Sequence, residues 1–235
     1  MFSRKSRNDG TAGMMAAVGT LDIQKIEGKR PLTVDEIVHL SHPQAGLSDY
    51  VNNYRTRNLT NINRGLRKIK IAQDHGIASL MGLLDLTIVR GGGEQINLGI
   101  VSTRVVTTAG VTKVVDFLRA SDTATGSTFK FHGLGTGVAA EAASDTALGT
   151  ELTTQYVTDN TRPTGTQTNS GATVYQSVAT ITLDSGTPAV TEHGLFSAST
   201  AGTLLDRSVF AAVNLVGANG DAITSTYSLT VSAGG

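Results

Sequence analysis

Residues 4–28 are small and polar, punctuated by Gly10, Gly13 and Gly19. With no apolar period to supply a packing face, they are expected to form an extended arm. Order begins near Thr33. Thr33 and Glu36 have capping-box spacing, and Val34, Ile37, Val38 and Leu40 follow as an apolar stripe until Ser41-His42-Pro43 ends the helix. A second helix, capped by Ser48 or Asp49, carries Tyr50, Val51, Tyr54, Leu59, Ile62, Leu66 and Ile69 on one face and runs to Gly76. Gly65 in its middle costs up to about 1 kcal/mol against Ala, so the helix needs tertiary or partner contacts. The period then changes. Residues 84–90 and 96–108 are rich in Val, Ile and Thr around Gly91-Gly92-Gly93, which reads as strand, turn, strand. Residues 111–119 fit a short amphipathic helix or another strand, and the pattern does not choose.

Beyond Ala120 the chain becomes rich in Ser, Thr and Gly. Short β-like runs over 128–132, 151–158, 172–183, 189–196, 204–215 and 223–231 alternate with turn-rich stretches at 160–171, 184–186 and 217–221, the pattern of an antiparallel sandwich or barrel. Asp145 could cap a single helical turn within 144–152. The expected fold class is α+β, mainly β: an N-terminal extended arm with helices and a C-terminal antiparallel β-sandwich. The expected divisions are an arm over 1–32, a mixed helix and strand attachment segment over 33–125, and a sandwich domain over 126–235. No stretch near the start has signal-peptide character, and the apolar run around residues 77–89 is broken too often to span a bilayer. No membrane association is expected.

Composition narrows the chemistry. The 235 residues include no Cys and no Trp, and only 16% are charged, below the roughly 25% of ordinary soluble domains. Thiolate nucleophiles, Cys-ligated zinc and iron–sulfur clusters are excluded. The net charge of zero hides an asymmetry: residues 1–75 hold 12 Lys and Arg against 7 Asp and Glu, and the rest hold 7 against 12. The halves are therefore +5 and −5, which suits docking on an acidic neighbour or attraction between adjacent copies.

Candidate sites are few. Gly133, Gly135 and Gly137 lack the following helix and the Gly-Lys-Ser/Thr or third-glycine ending of a phosphate cradle. His39 and His42 share i, i+3 spacing, but Pro43 ends their helix and a zinc site needs further ligands. His193 stands beside Glu192 with no Gly-x-Ser-x-Gly elbow to hold a nucleophile. No catalytic residue, metal ligand or cofactor is expected. Glu192 and Arg207, on successive predicted strands, are expected to form a structural ion pair in or beside the core, costly to break from one side. The face of the second helix bearing Arg55, Arg57, Arg64, Arg67, Lys68 and Lys70 is the expected partner-binding surface, with a simply solvated helix face as the alternative. It has no interleaved aromatic platform, so an acidic protein is favoured over nucleic acid.

Three stretches, Ala-Ser-Asp-Thr-Ala-Leu-Gly-Thr-Glu-Leu (143–152), Thr-Glu-His-Gly-Leu-Phe (191–196) and Gly-Thr-Leu-Leu-Asp-Arg-Ser-Val-Phe (202–210), resemble structural proteins of tailed-bacteriophage virions. The likeness spans roughly residues 129–235. It implies a β-sandwich module on the virion, assembled in the host cytoplasm, on heads or on tails. The leading role it implies is a non-enzymatic capsid cement or decoration protein, a homo-oligomer and specifically a trimer, bridging major capsid proteins or other virion proteins. The alternatives are a tail, collar, baseplate or fibre-adaptor protein and, more remotely, a carbohydrate-binding module that takes a host glycan.

Overall fold

The computed structural model describes residues 32–75, 79–118, 129–169 and 173–232. The arm expected over 1–32 lies outside the described residues apart from residue 32. The described chain is α+β with mostly strands. Helices α1 (Val34–Ser41) and α2 (Asp49–Asp74) precede β1 (Ser79–Val89), β2 (Gln95–Val106) and helix α3 (Thr108–Leu118). Then follow β3 (Phe131–Gly135), β4 (Thr166–Asn169), β5 (Val174–Thr182), β6 (Ala189–Phe196), β7 (Leu204–Asn214), a 3₁₀ turn at Gly217–Asn219, and β8 (Ala222–Ser232).

Local chemistry sets the helix starts. At α1 the Glu36 N–H donates to Thr33 Oγ1 at 3.3 Å while the Thr33 N–H donates to Glu36 Oε2 at 2.8 Å, a complete capping box. The Val51 N–H donates to Ser48 Oγ ahead of α2, making Ser48 its cap. Residues 108–118 resolve as helix, opened by the Gly110 N–H donating to Thr107 Oγ1 at 3.0 Å. The buried stripe of α2 is Val51, Tyr54, Arg55, Asn58, Ile62 and Leu66, with Tyr50 exposed. Gly65 is required by close approach, since a Cβ there would overlap the Thr103 side chain on β2.

All strand pairs are antiparallel, in the order β3-β6-β7-β2-β1-β8-β5-β4. Two sheets share β2, which meets β7 only where Val105 and Val106 lie opposite Arg207 and Asp206. Strands of the expected attachment segment therefore sit in the middle of the order. Without β1 and β2, residues 126–235 would supply two three-stranded ribbons with no hydrogen-bonded link between β7 and β8. The boundary at 125/126 is thus not a break in the sheets. Residues 151–158 make only isolated bridges, and β4 lies inside the stretch read as a turn. No helical turn forms at 144–152, because Asp145 pairs with Arg207 instead of capping.

The sheets pack face to face. Leu84, Leu86 and Ile88 of β1, Ile181 of β5 and Ile223 of β8 meet Leu134, Val190, Phe210 and Val213 from the other sheet. Burying such side chains stabilises by about 1.5–3 kcal/mol each and is the main cohesive term. On the far side of β1 and β2, Leu83 and Ile100 are covered by Ile37, Leu40, Ile62 and Leu66 of the helices. Where β7 parts from β2, α2 takes the place of a strand: Tyr54 Oη donates to the Ala211 carbonyl and the Ala211 N–H donates to Asn58 Oδ1, both at 2.8 Å. The two ends of the strand order are joined as well. The His132 N–H donates to the Pro163 carbonyl and the Gly165 N–H to the Lys130 carbonyl, and from Thr166 the same segment pairs with β5 as β4.

Candidate functional site

The densest polar construction lies on the outer face of the β3-β6-β7 sheet, beneath residues 136–152. Glu192 on β6 and Arg207 on β7 approach to 2.7 Å, both buried. Arg207 Nη1 also pairs with Asp145 Oδ2 at 3.0 Å, and its Nη2 donates to the Ala139 carbonyl. Glu192 accepts three backbone N–H bonds, from Gly137 at 2.9 Å, Gly149 at 2.9 Å and Thr150 at 2.7 Å. Burial alone would push the Glu192 carboxyl up, but the Thr150 and Gly149 N–H groups, Arg207 and the Gly137 N–H outweigh it and hold the carboxyl below its ordinary range. The glycines at 135 and 137 make room for it, because a Cβ at either would collide with the Glu192 carboxylate. Gly135 and Gly137, which lack the pattern of a phosphate loop, cradle an internal anion. The result is a clamp that pins a 17-residue loop to the sheet with three backbone bonds to one carboxylate.

The clamp draws on three separate stretches, 143–152, 191–196 and 202–210. Asp145, Gly149 and Thr150 come from the first, Glu192 from the second and Arg207 from the third. A second pair stands beside it. Arg162 holds Glu151 through Nε–Oε1 at 2.5 Å and Nη2–Oε2 at 2.8 Å, donates to the Ala198 and Ala201 carbonyls, and lies 3.5 Å from the Phe196 ring centroid. Two grooves, of about 340 and 190 Å³, flank Arg162 and share Tyr156 with it. Thr158, Thr161, Thr180 and Thr182 line the larger one. The guanidinium common to both is already engaged by Glu151, the two carbonyls and the Phe196 face.

Between the sheets sits a different polar group. His132 Nδ1 lies 2.9 Å from His193 Nε2 and 2.8 Å from Ser225 Oγ, and its Nε2 lies 2.8 Å from Ser177 Oγ. All four residues are buried, and burial pushes the His132 imidazole down to about 3, so it is neutral near pH 7. His193 and Glu192, adjacent in sequence, point to opposite faces of β6 as strand alternation requires, and so serve separate networks. His132, Glu151 and Arg162 are not marked by the sequence pattern, and Asp145 is marked there only as a helix cap. Their partners lie 11 to 93 residues away, and no local spacing marks them.

The expected basic face of α2 is only partly outward. Arg57, Arg64, Arg67, Lys68 and Lys70 are exposed, whereas Arg55 is 6% exposed and turned toward β2. Arg55 Nε donates to the Leu98 carbonyl and its Nη1 to the His42 carbonyl, each at 3.0 Å. Arg55 is corrected from the partner surface to the interior because it follows Tyr54 directly on the buried stripe. Lys70 pairs with Asp74 at 3.0 Å. Of the other predicted groups, His42 Nδ1 lies 2.9 Å from the Val38 carbonyl. Among the described residues no three His, Cys, Asp or Glu side chains group as metal ligands, and no helix is long and apolar enough to cross a membrane. Compared with protein-family models, curated proteins and solved structures, the chain matches none.

Proposed function

We propose that this protein is a non-enzymatic structural subunit of a tailed-bacteriophage virion, acting as a capsid cement or decoration protein that bridges major capsid proteins. The observation that carries the reading is the convergence of the three virion-like stretches on one buried clamp. Residues up to 62 positions apart in sequence, each lying in a stretch with that likeness, make a single mechanical joint. Such a joint fixes a long loop against a sheet without presenting a reactive group, which suits a block that must hold its shape under load. The neutral His132 and the engaged Arg162 are spent in the same way, on internal bonds.

The experiment is to purify virions and count this chain per particle by quantitative mass spectrometry, then compare heads with and without it under osmotic shock. Hundreds of copies, with heads that burst more readily when it is missing, support the cement role. A handful of copies moves the chain to the tail, collar or baseplate, and absence from particles overturns both.

A further inference from the structure

The outward face of α2 has an order that its basic composition conceals. Tyr50, Arg57, Arg64 and Ile71 recur every seven residues, which on an α-helix is one narrow stripe drifting only about 20° per repeat. It extends for about 30 Å at 1.5 Å per residue. Both ends are apolar and open, Tyr50 at 43% and Ile71 at 58% exposed, and Arg57, Arg64 and Lys68 lie between them. The stripe faces away from the face that packs on β1 and β2, and among the described residues none of these three cations has a carboxylate partner. Arg57 rests over the Tyr54 ring.

One end of the same molecule has the complementary character. The loops at 90–94, 153–160, 184–188 and 215–221 are bound to one another: the Gly91 N–H donates to Asp221 Oδ1, the Asp184 N–H to the Gln155 carbonyl, and the Gly217 N–H to the Gly186 carbonyl. They expose Glu94, Asp159 and Asp184. Arg90, their one cation, is used within the end by Asp221 at 2.7 Å. Among the described residues the end therefore has three uncompensated negative charges, and it presents Val157, 64% exposed, and Val216, 36% exposed, among them. Cations with flanking apolar groups on the flank thus match anions with interspersed apolar groups at the end.

We infer that the α2 stripe is the docking surface for the acidic loop end of a second copy of this chain. The inference rests on reading the protein as an assembling subunit and names the partner of the basic face. Among the described residues these cations and anions are not paired within the molecule, and a contact between unlike surfaces of two copies is heterologous. Repeated around an axis, such a contact closes into a ring, and a trimer is one such closure. The charges set encounter and register, while the exposed Tyr, Ile and Val supply apolar area.

The test uses the purified full chain in sedimentation velocity across a concentration series. Low salt should favour self-association and 0.5 M salt should weaken it by about tenfold or more, as for solvent-accessible charge pairs. Arg57→Glu/Arg64→Glu/Lys68→Glu should abolish association at concentrations where the parent assembles, and so should Glu94→Lys/Asp159→Lys/Asp184→Lys. The decisive variant has both sets on one chain and should recover association, a result that misfolding of either triple variant cannot imitate. A parent that stays monomeric, triple variants that assemble unchanged, a combined variant that stays apart, or binding of duplex DNA to the stripe in place of self-association would each overturn the inference. Particle loading is scored in parallel. Intact self-association with no loading defeats the head role alone, and loading by chains whose association ignores the charge swaps defeats this contact alone.

Discussion

The carboxylate of Glu192 and the guanidinium of Arg207 meet 2.7 Å apart under a loop that belongs to neither of their strands. Glu192 is fully buried and Arg207 nearly so, so each depends on the other and on the loop for its solvation. Loss of the cation alone leaves a buried carboxylate with only backbone donors. Arg207→Met should cost about 3–5 kcal/mol, as for one-sided loss of a buried pair. Glu192→Gln preserves shape and some bonding and should cost less, about 1–3 kcal/mol, the range for an impaired buried hydrogen bond. Urea midpoints with unchanged slope measure both, and midpoints equal to the parent's would refute the clamp.

Acid should loosen the fold in two stages. The His132 value of about 3 in the fold lies below its ordinary 6.5, so its contribution is complete above pH 6.5 and declines as pH falls toward 3. The limiting slope is about 1.4 kcal/mol per pH unit for one proton. Glu192, also held low, contributes fully above the ordinary carboxyl value of 4.5 and loses that contribution as pH falls through its folded value. Urea midpoints should therefore drop between pH 6.5 and 4.5, and His132→Gln should flatten that interval while leaving the more acidic limb. A level parent profile across the interval would contradict the buried neutral imidazole.

Gly65→Ala offers a test of sign. Helix propensity alone predicts a gain of up to about 1 kcal/mol. Because the added methyl would overlap Thr103 on β2, the substitution should instead destabilise, by about 1–3 kcal/mol as for overpacked sites. A raised melting temperature would show that α2 can move away from the sheet at little cost.

Two neighbouring arginines should behave oppositely. Arg55→Ala removes bonds to the Leu98 and His42 carbonyls and should cost about 2–3 kcal/mol, as expected for charge-assisted bonds in the interior. Arg57→Ala, on the outward stripe, should leave the urea midpoint where it is. Equal effects of the two would remove the distinction between the inner and outer faces of α2.

What the sequence disclosed, it disclosed through local rules. The Thr33–Glu36 box, the Ser48 cap, the hairpin around Gly91–Gly93 and the alternation of β5 through β8 all depend on residues within a turn or a strand of one another. Glu192 and Arg207 were legible together because two charges on adjacent strands of a charge-poor region have few other uses. Arg55 misled because cationic residues are normally outward, and nothing in α2 reveals that two carbonyls await it. Asp145 looked like a helix cap because its partner is 62 residues away. The insertion of β1 and β2 between β7 and β8 was hidden for the same reason, since strand order is fixed by burial between distant segments and leaves no trace in spacing.

β8 is the last described strand along the chain, yet it lies between β1 and β5, with Ser79 opposite Ser232 and Val174 opposite Thr230. A ribosome must therefore deliver nearly all of the described sequence before β1, already paired with β2, finds its second neighbour, and chains that stop short of β8 would lack the strand that zips the early hairpin to the late one. Only chains that include β8 can then close the sheet between β1 and β5, so the topology makes the early hairpin wait for the late strands.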